Sequence, residues 1–369
     1  MDRMNEEYED DCHELTLDMF NQVLRPLSKR PGHKYDLILK GGQSLINALF
    51  HLYASVWKSE KVPESWHKSN LVQLWKGRHP VSVLSNHRFI HCKAETVKVF
   101  GHLIMSQVKE TLIGNMSKYQ IATKPGHRAS EHLYVIKSLL SLIQMKKKAM
   151  IISMWDLKTF FDTENLYDCM NELYRSQIKG KMYRLMYKMN QKMIISIKTP
   201  LGKTESKETD SGLGQGTVEG AIVSSVSLDN GVTEEFSEEE KIEKEKEEHK
   251  NIENLPRDFF HPCIYVDDVA KGSSDIASAQ DANNKMENVV ESKLLTLNLE
   301  KTTFLVVGNE KARRKMLQDL VEEPLTICGE KMKYSESEKI SGGTDIEEPC
   351  GISQCNSGKK NWYSNNLFL

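Results

Sequence analysis

The chain has 369 residues, 39% hydrophobic and 28% charged, with a formal net charge of -2. No apolar run approaches the roughly 20 residues of a membrane span, and the acidic start, Met1 to Glu14, has no apolar core and so argues against a secretory signal. The near-neutral total hides an asymmetry: residues 1–15 carry -6 and residues 234–250 carry -5, leaving +9 on the rest, which suits a polyanion-binding enzyme without identifying the polyanion.

In chain order, Leu45, Ile46, Leu49, Phe50, Tyr53, Val56 and Trp57 have helical spacing and predict a helix within 36–60, stopped at Pro63. Ser69 to Trp75 reads as a strand and Lys76-Gly77-Arg78 as a basic turn. Helices are expected over 94–113 and, after the turn Lys124-Pro125-Gly126-His127, over 130–147. Ala149 to Trp155 reads as a buried strand with Asp156 at its end. One long helix is expected from Glu164 to Met189, then a strand Met193 to Lys198, a turn at Pro200-Leu201-Gly202, and a helix opened by Gly212-Leu213-Gly214-Gln215-Gly216. Glu234 to Lys250 is low in complexity and highly charged, and reads as a solvated insertion rather than a folded unit. Pro262 to Val269 is a short strand bearing Asp267 and Asp268, followed by a helix over 278–295 and a strand over 301–307. After Gly343 the apolar pattern fails.

The expected fold class is α+β, a sheet covered by helices on one face. The expected divisions are an acidic lead (1–35), a first region (36–148), a second (149–343, with the charged insertion at 234–258) and an irregular tail (344–369). The seven cysteines (12, 92, 169, 263, 328, 350, 355) are scattered, with no C-x-x-C pair. They read as reduced thiols of an intracellular protein, nuclear and cytoplasmic not being distinguished, with no zinc site.

Two adjacent aspartates inside an apolar run, Cys263 to Val269, are awkward for a strand, because burying their charge is costly unless something compensates. A hairpin turn at Val266-Asp267-Asp268 would aim both carboxylates at the end of the strand carrying Asp156. Two divalent cations about 4 Å apart, held by such carboxylates, are how nucleotidyl transfer is catalysed. Taken alone, Asp267-Asp268 beside Tyr265 would be a solvated turn; the distant Asp156 shifts the balance towards a shared site.

An ordered set of segments resembles the reverse transcriptases of non-long-terminal-repeat retrotransposons, collinearly over roughly residues 36–343. Val62-Pro63-Glu64-Ser65-Trp66-His67-Lys68-Ser69 is similar to the opening of that family's fingers, and Leu84 to Ile90 to its N-Y-R-P-I segment. Gln120 to Ser130 resembles Q-x-G-F-R-P-G-R-S, residues 155–162 L-D-L-x-K-A-F-D, and residues 212–220 G-x-x-Q-G-x-x-x-S. Tyr265 to Asp268 fits Y-x-D-D, and Asn298 to Thr302 fits N-x-x-K-T. The resemblance implies fingers and an antiparallel palm sheet covered by helices. Residues 339–343 are similar to a degraded primer-grip segment, and the expectation is that the thumb is missing, with a correspondingly weak grip on a template–primer duplex.

The same resemblance implies an RNA-directed DNA polymerase using two Mg²⁺ ions (Mn²⁺ as a substitute), an RNA template, a DNA primer and dNTPs. Asp156, Asp267 and Asp268 would hold the metals, and Lys301 would donate a proton to pyrophosphate. Phe161 would exclude a 2′-hydroxyl, Arg88 and Lys76 would clamp the triphosphate, and Gln215, Gly216 and Tyr265 would line the nucleotide site. Plainer readings stand beside these. Asp162 reads first as the N-cap of the following helix. Phe160 reads as core, Phe161 evenly as core or as the sugar gate, Arg88 alone as a surface arginine, and the glycines near 214 as a turn. A catalytically inactive remnant that binds nucleic acid or protein is the main rival. An RNA-dependent RNA polymerase is a second, opposed by the ring at Phe161.

Overall fold

The computed structural model describes residues 14–29, 34–77, 79–199, 201–209, 213–247, 261–340 and 344–347. The chain forms two compact units that interleave along the sequence. One combines the residues up to Asn115 with Phe161–Ser227; the other combines Met116–Phe160 with the residues from Leu228 onward. The consecutive division expected near residue 148 is therefore not how the compact units fall.

In the first unit, Lys68–Trp75 pairs antiparallel with His87–Cys92 and parallel with Met193–Thr199, which also pairs with Gly202–Lys203 and Lys207–Thr209. The predicted helix of residues 36–60 forms as Tyr35–Lys40 and Gly42–Ser59, burying Ile46, Leu49, Tyr53, Val56 and Trp57 as its periodicity requires. Its aromatic face meets Phe20, whose ring lies 5.5 Å from Tyr53, and Phe100, 5.5 Å from Tyr53 and 5.0 Å from Trp66. Phe20 belongs to a helix, Leu17–Ser28, within the stretch read as an acidic lead. Thr16 caps it, accepting from the Met19 N–H at 3.2 Å.

The single helix expected from Glu164 to Met189 is two, Leu166–Arg175 and Gly180–Asn190. Between them Gln177 takes φ +67°, and Gly180, the first residue of the second, +57°, which no continuous helix allows. The cap of the first is Asn165, accepting from the Tyr167 N–H at 2.8 Å, and not Asp162, which lies in a short helical turn Phe160–Thr163.

The second unit is built on a five-stranded sheet in the order Lys333–Tyr334, Thr303–Gly308, Ala149–Asp156, Asp268–Ser273, Cys263–Tyr265, antiparallel except for its first pair. Helices cover both faces of its central strand, not one. On one side Leu133, Ile136, Leu139 and Ile143 of the helix Ala129–Met145 pack on Met150, Ile152, Leu305 and Val307. On the other, the Trp155 Nε1–H donates to Asn283 Oδ1 at 3.1 Å on the helix Ile276–Ser292. That two-sided burial explains why residues 149–155 read as a nearly continuous apolar run, interrupted only by Ser153, rather than an alternating one.

The charged stretch expected to be an unfolded insertion continues the helix Gly220–Glu247. Phe236 within it is 1% exposed, its ring 6.4 Å from Trp155. That helix starts at Gly220 rather than among the preceding glycines, and Thr217 Oγ1 accepts the Gly220 N–H at 3.1 Å. Two short pairings were not expected at all: Thr326–Ile327 with Glu330–Lys331, and Ser337–Ile340 with Thr344–Glu347. The latter makes the first residues of the expected tail a strand; residues 348–369, like 1–13, Arg78, Pro200, Gly212, the end of the charged stretch from 248 and 341–343 of the segment likened to a primer grip, lie outside the described residues. Among the described residues no helix is long and apolar enough to cross a membrane.

Candidate active site

Asp156 ends the central strand because the chain there leaves the sheet. Antiparallel pairing sets Asp156 directly opposite Asp268, the first residue of the returning arm of the hairpin, and sets Tyr265 opposite Asp268 on the hairpin's own ladder. Cys263–Tyr265 rises into a turn at Val266-Asp267, with Val266 at φ +58°. The predicted convergence of Asp156 with the aspartate pair is thus a matter of backbone register within one sheet.

A loop 140 residues downstream completes the surroundings of Asp156. The Asn298 N–H donates to the Asp156 carbonyl at 2.8 Å and the Lys158 N–H to the Thr296 carbonyl at 2.8 Å, so the two segments run side by side beyond the strand's end. Lys301 Nζ lies 2.8 Å from each carboxylate oxygen of Asp156, and Asn298 Nδ2 donates to Oδ2 at 3.0 Å. Thr302 Oγ1 accepts the Asp156 N–H at 3.3 Å. Asn298 and Thr302 were not singled out from the sequence, although both stand in the N-x-x-K-T segment that supplied Lys301.

Asp268 retains some surface exposure, yet its carboxyl is pushed up to about 7, by desolvation first, then by the charges of Asp267 and Asp156; Lys301 opposes the shift. Carboxylates crowded in this way are a hard-oxygen donor set whose repulsion a divalent cation relieves, so the residues present fit Mg²⁺ in kind. In the side-chain arrangement of this structure Lys301 engages Asp156, and no group of three His, Cys, Asp or Glu among the described residues is assembled as a ligand cluster.

The residues expected around the nucleotide belong to the other compact unit, apart from Tyr265. There Arg88 lies opposite Leu74 across the strand pair, and Lys76 follows that strand with its N–H donated to the Asn86 carbonyl at 2.8 Å. The Gln215 carbonyl accepts the His91 N–H at 2.8 Å, laying the loop of Gln215 and Gly216 along the same strand as Arg88. Gly216 has φ +95°, and a Cβ there would stand 2.8 Å from Ile90 Cγ2, so only glycine lets the loop lie so close. Behind it, His91, Lys93, Thr217 and Glu219 line a cavity of about 10 Å³, room for a single water. Burial pushes the His91 imidazole down to about 4, with Lys93 adding to the shift and Glu219 opposing it. Phe160 is buried, as its plainer reading held, and Phe161 is half-buried.

A family model described as reverse transcriptase (RNA-dependent DNA polymerase) matches residues 74–339. Among solved structures, the chain is similar to apo telomerase from Candida tropicalis truncated from its C-terminal domain, at 14% identity and TM-score 0.45, covering 70% of this chain and 55% of that one. It is also similar to telomerase from Candida albicans in complex with the TWJ fragment of telomeric RNA, at 13% identity and TM-score 0.47, covering 73% and 46%. The corresponding complex from Candida tropicalis gives 11% identity and TM-score 0.47, covering 85% and 50%. The chain thus spans about half the length of the telomerases it matches. No curated protein matches it.

Proposed function

The chain belongs to the reverse transcriptase (RNA-dependent DNA polymerase) family, whose model takes in 74–339 of its residues, and from that membership we propose that it extends a primer 3′-hydroxyl with deoxynucleotides on an RNA template. The observation that carries the proposal is the register that stands Asp156 opposite Asp268, beside Asp267 in the hairpin turn. The ordered segments of the sequence favour the retrotransposon branch of the family, of the non-long-terminal-repeat type.

Asp156, Asp267 and Asp268 would hold two Mg²⁺ ions, which when bound lower the pKa of the primer hydroxyl and neutralise the triphosphate. Lys301, whose ammonium lies against Asp156, would serve as the proton donor to departing pyrophosphate. Arg88, whose planar fork suits phosphate oxygens, and Lys76 clamp the triphosphate. Gln215 and Gly216 let backbone approach the nucleotide, with Tyr265 lining its site. The Phe161 ring excludes a 2′-hydroxyl and so selects deoxynucleotides.

Primer extension on an RNA template, with dNTPs and Mg²⁺ or Mn²⁺, tests the reading against an Asp267→Asn/Asp268→Asn double variant. Extension that disappears in the variant is the expected result. A preference for ribonucleotides would instead point to an RNA polymerase. The second reading is the catalytically inactive remnant that binds nucleic acid or protein. Absence of extension from folded protein in either metal would establish that reading in place of the first.

A further inference from the structure

The aspartate turn rests on a left-handed Val266 (φ +58°), a conformation that a β-branched residue keeps only when its surroundings impose it. Those surroundings include one side chain, Gln120, which is fully buried. Its Oε1 accepts the Ala122 N–H at 3.1 Å and, more loosely, the Val266 N–H at 3.4 Å. The backbone around it is fixed to the same hairpin. Gln120 bridges Ile264 in parallel; the Ile264 N–H donates to the Tyr119 carbonyl at 3.1 Å, and the Ile121 N–H to the Ile264 carbonyl at 3.3 Å. The His132 ring in turn holds the Tyr119 carbonyl at 3.0 Å through Nε2. Gln120 Nε2 has no acceptor among the described residues. A buried donor left orphaned is unfavourable, and a hydrocarbon of the same size would avoid it. What the position gains from glutamine is therefore the oxygen.

We propose that Gln120 is the positioning residue of the aspartate turn: its side-chain oxygen holds Val266 in the left-handed region and thereby sets where Asp267 and Asp268 stand relative to Asp156. The holding role belongs to the fold; its catalytic consequence rests on the polymerase reading. The test compares the full chain with Gln120→Met, which keeps the volume and removes the acceptor, and Gln120→Glu, which keeps an acceptor oxygen in either protonation state.

Amide hydrogen exchange of the peptide spanning 262–270 should accelerate roughly tenfold in Gln120→Met, with little change over Thr303–Gly308, and remain near wild type in Gln120→Glu. Adding Val266→Gly, which takes positive φ without a tether, should restore part of the primer extension that Gln120→Met loses, through kcat rather than the dNTP KM. Unchanged exchange in the hairpin, or acceleration spread evenly over the sheet, would overturn the proposal. Should Gln120→Met not fold, equal exchange in the hairpin of Gln120→Glu and of a Gln120→Ala chain would overturn it as well. A wild-type chain that extends no primer would remove the polymerase reading while the exchange result still decides the role of Gln120.

Discussion

At the scale of single residues, the site is governed by how three carboxylates and one ammonium share a small space. Asp268 is held near 7, above the ordinary carboxylate value of about 4. Between those values the folded chain keeps a proton that the unfolded chain has lost, so stability contributed here is greatest in acid and falls as pH rises from about 4 to about 7. His91, held near 4 by burial, works in the opposite sense: its folded form stays neutral, and stability falls as pH drops below about 6.5. The two are separated by comparing variants. In EDTA, Asp268→Asn should be more stable than wild type at pH 7.5, by at most about 4 kcal/mol, with the difference shrinking towards pH 4.5. A difference in unfolding free energy independent of pH would refute the assignment. Lys301 lowers the pKa of Asp268, so Lys301→Met should move the same transition to higher pH. The aspartates themselves were legible from their type and spacing. The Asp156–Lys301 ion pair was not, because it joins a strand end to a loop 145 residues away and no local pattern encodes that contact.

At the scale of elements, periodicity found four of the long strands and most helices, missed the strand His87–Cys92 and most of Asp268–Ser273, and failed where polar composition outweighed it. The helix Gly220–Glu247 is the clearest case. Its second half is rich in Glu and Lys, which read as solvated, but spacings such as Glu240 to Lys244 are also what supports an exposed helix. The one aromatic residue there, Phe236, is buried against Trp155, with the Lys271 and Lys285 ammoniums each 5.8 Å from its ring centroid. Phe236→Ala should cost about 3–5 kcal/mol in chemical denaturation. A loss below about 0.5 kcal/mol, as at an ordinary surface position, would return the segment to the status of an insertion. The sheet depends similarly on one glycine. Gly308 pairs with Ala149 at φ +122°, and a Cβ there would come within 2.5 Å of the Lys148 carbonyl oxygen. Since the obstacle is backbone, Gly308→Ala should destabilise the chain by more than the roughly 1 kcal/mol that separates the two residues in ordinary positions. A melting temperature within a degree of wild type would show that the strand end shifts freely.

At the scale of the whole molecule, the chain passes from one compact unit to the other at three points, after Asn115, at Phe160 to Phe161, and after Ser227. No contiguous half therefore carries a complete core. The sequence favoured a break before Ala149, yet that break would sever the helix Ala129–Met145 from the strand it covers. Leu133, Ile136, Leu139 and Ile143 are all at most 6% exposed against Met150, Ile152, Leu305 and Val307. Each such side chain contributes about 1.5–3 kcal/mol by burial, so losing four removes a sum comparable with the 5–15 kcal/mol net stability of a typical domain. A fragment of residues 149–343 would also lack Gln120 and with it the tether of the aspartate turn. It should show no cooperative thermal transition and no dispersed amide spectrum. A chain joining 116–160 to 228–347 through a flexible linker should recover both, because it restores one unit whole. A folded 149–343 fragment would mean that the covering helix is dispensable to the sheet, and that the aspartate hairpin stands without the segment that now braces it.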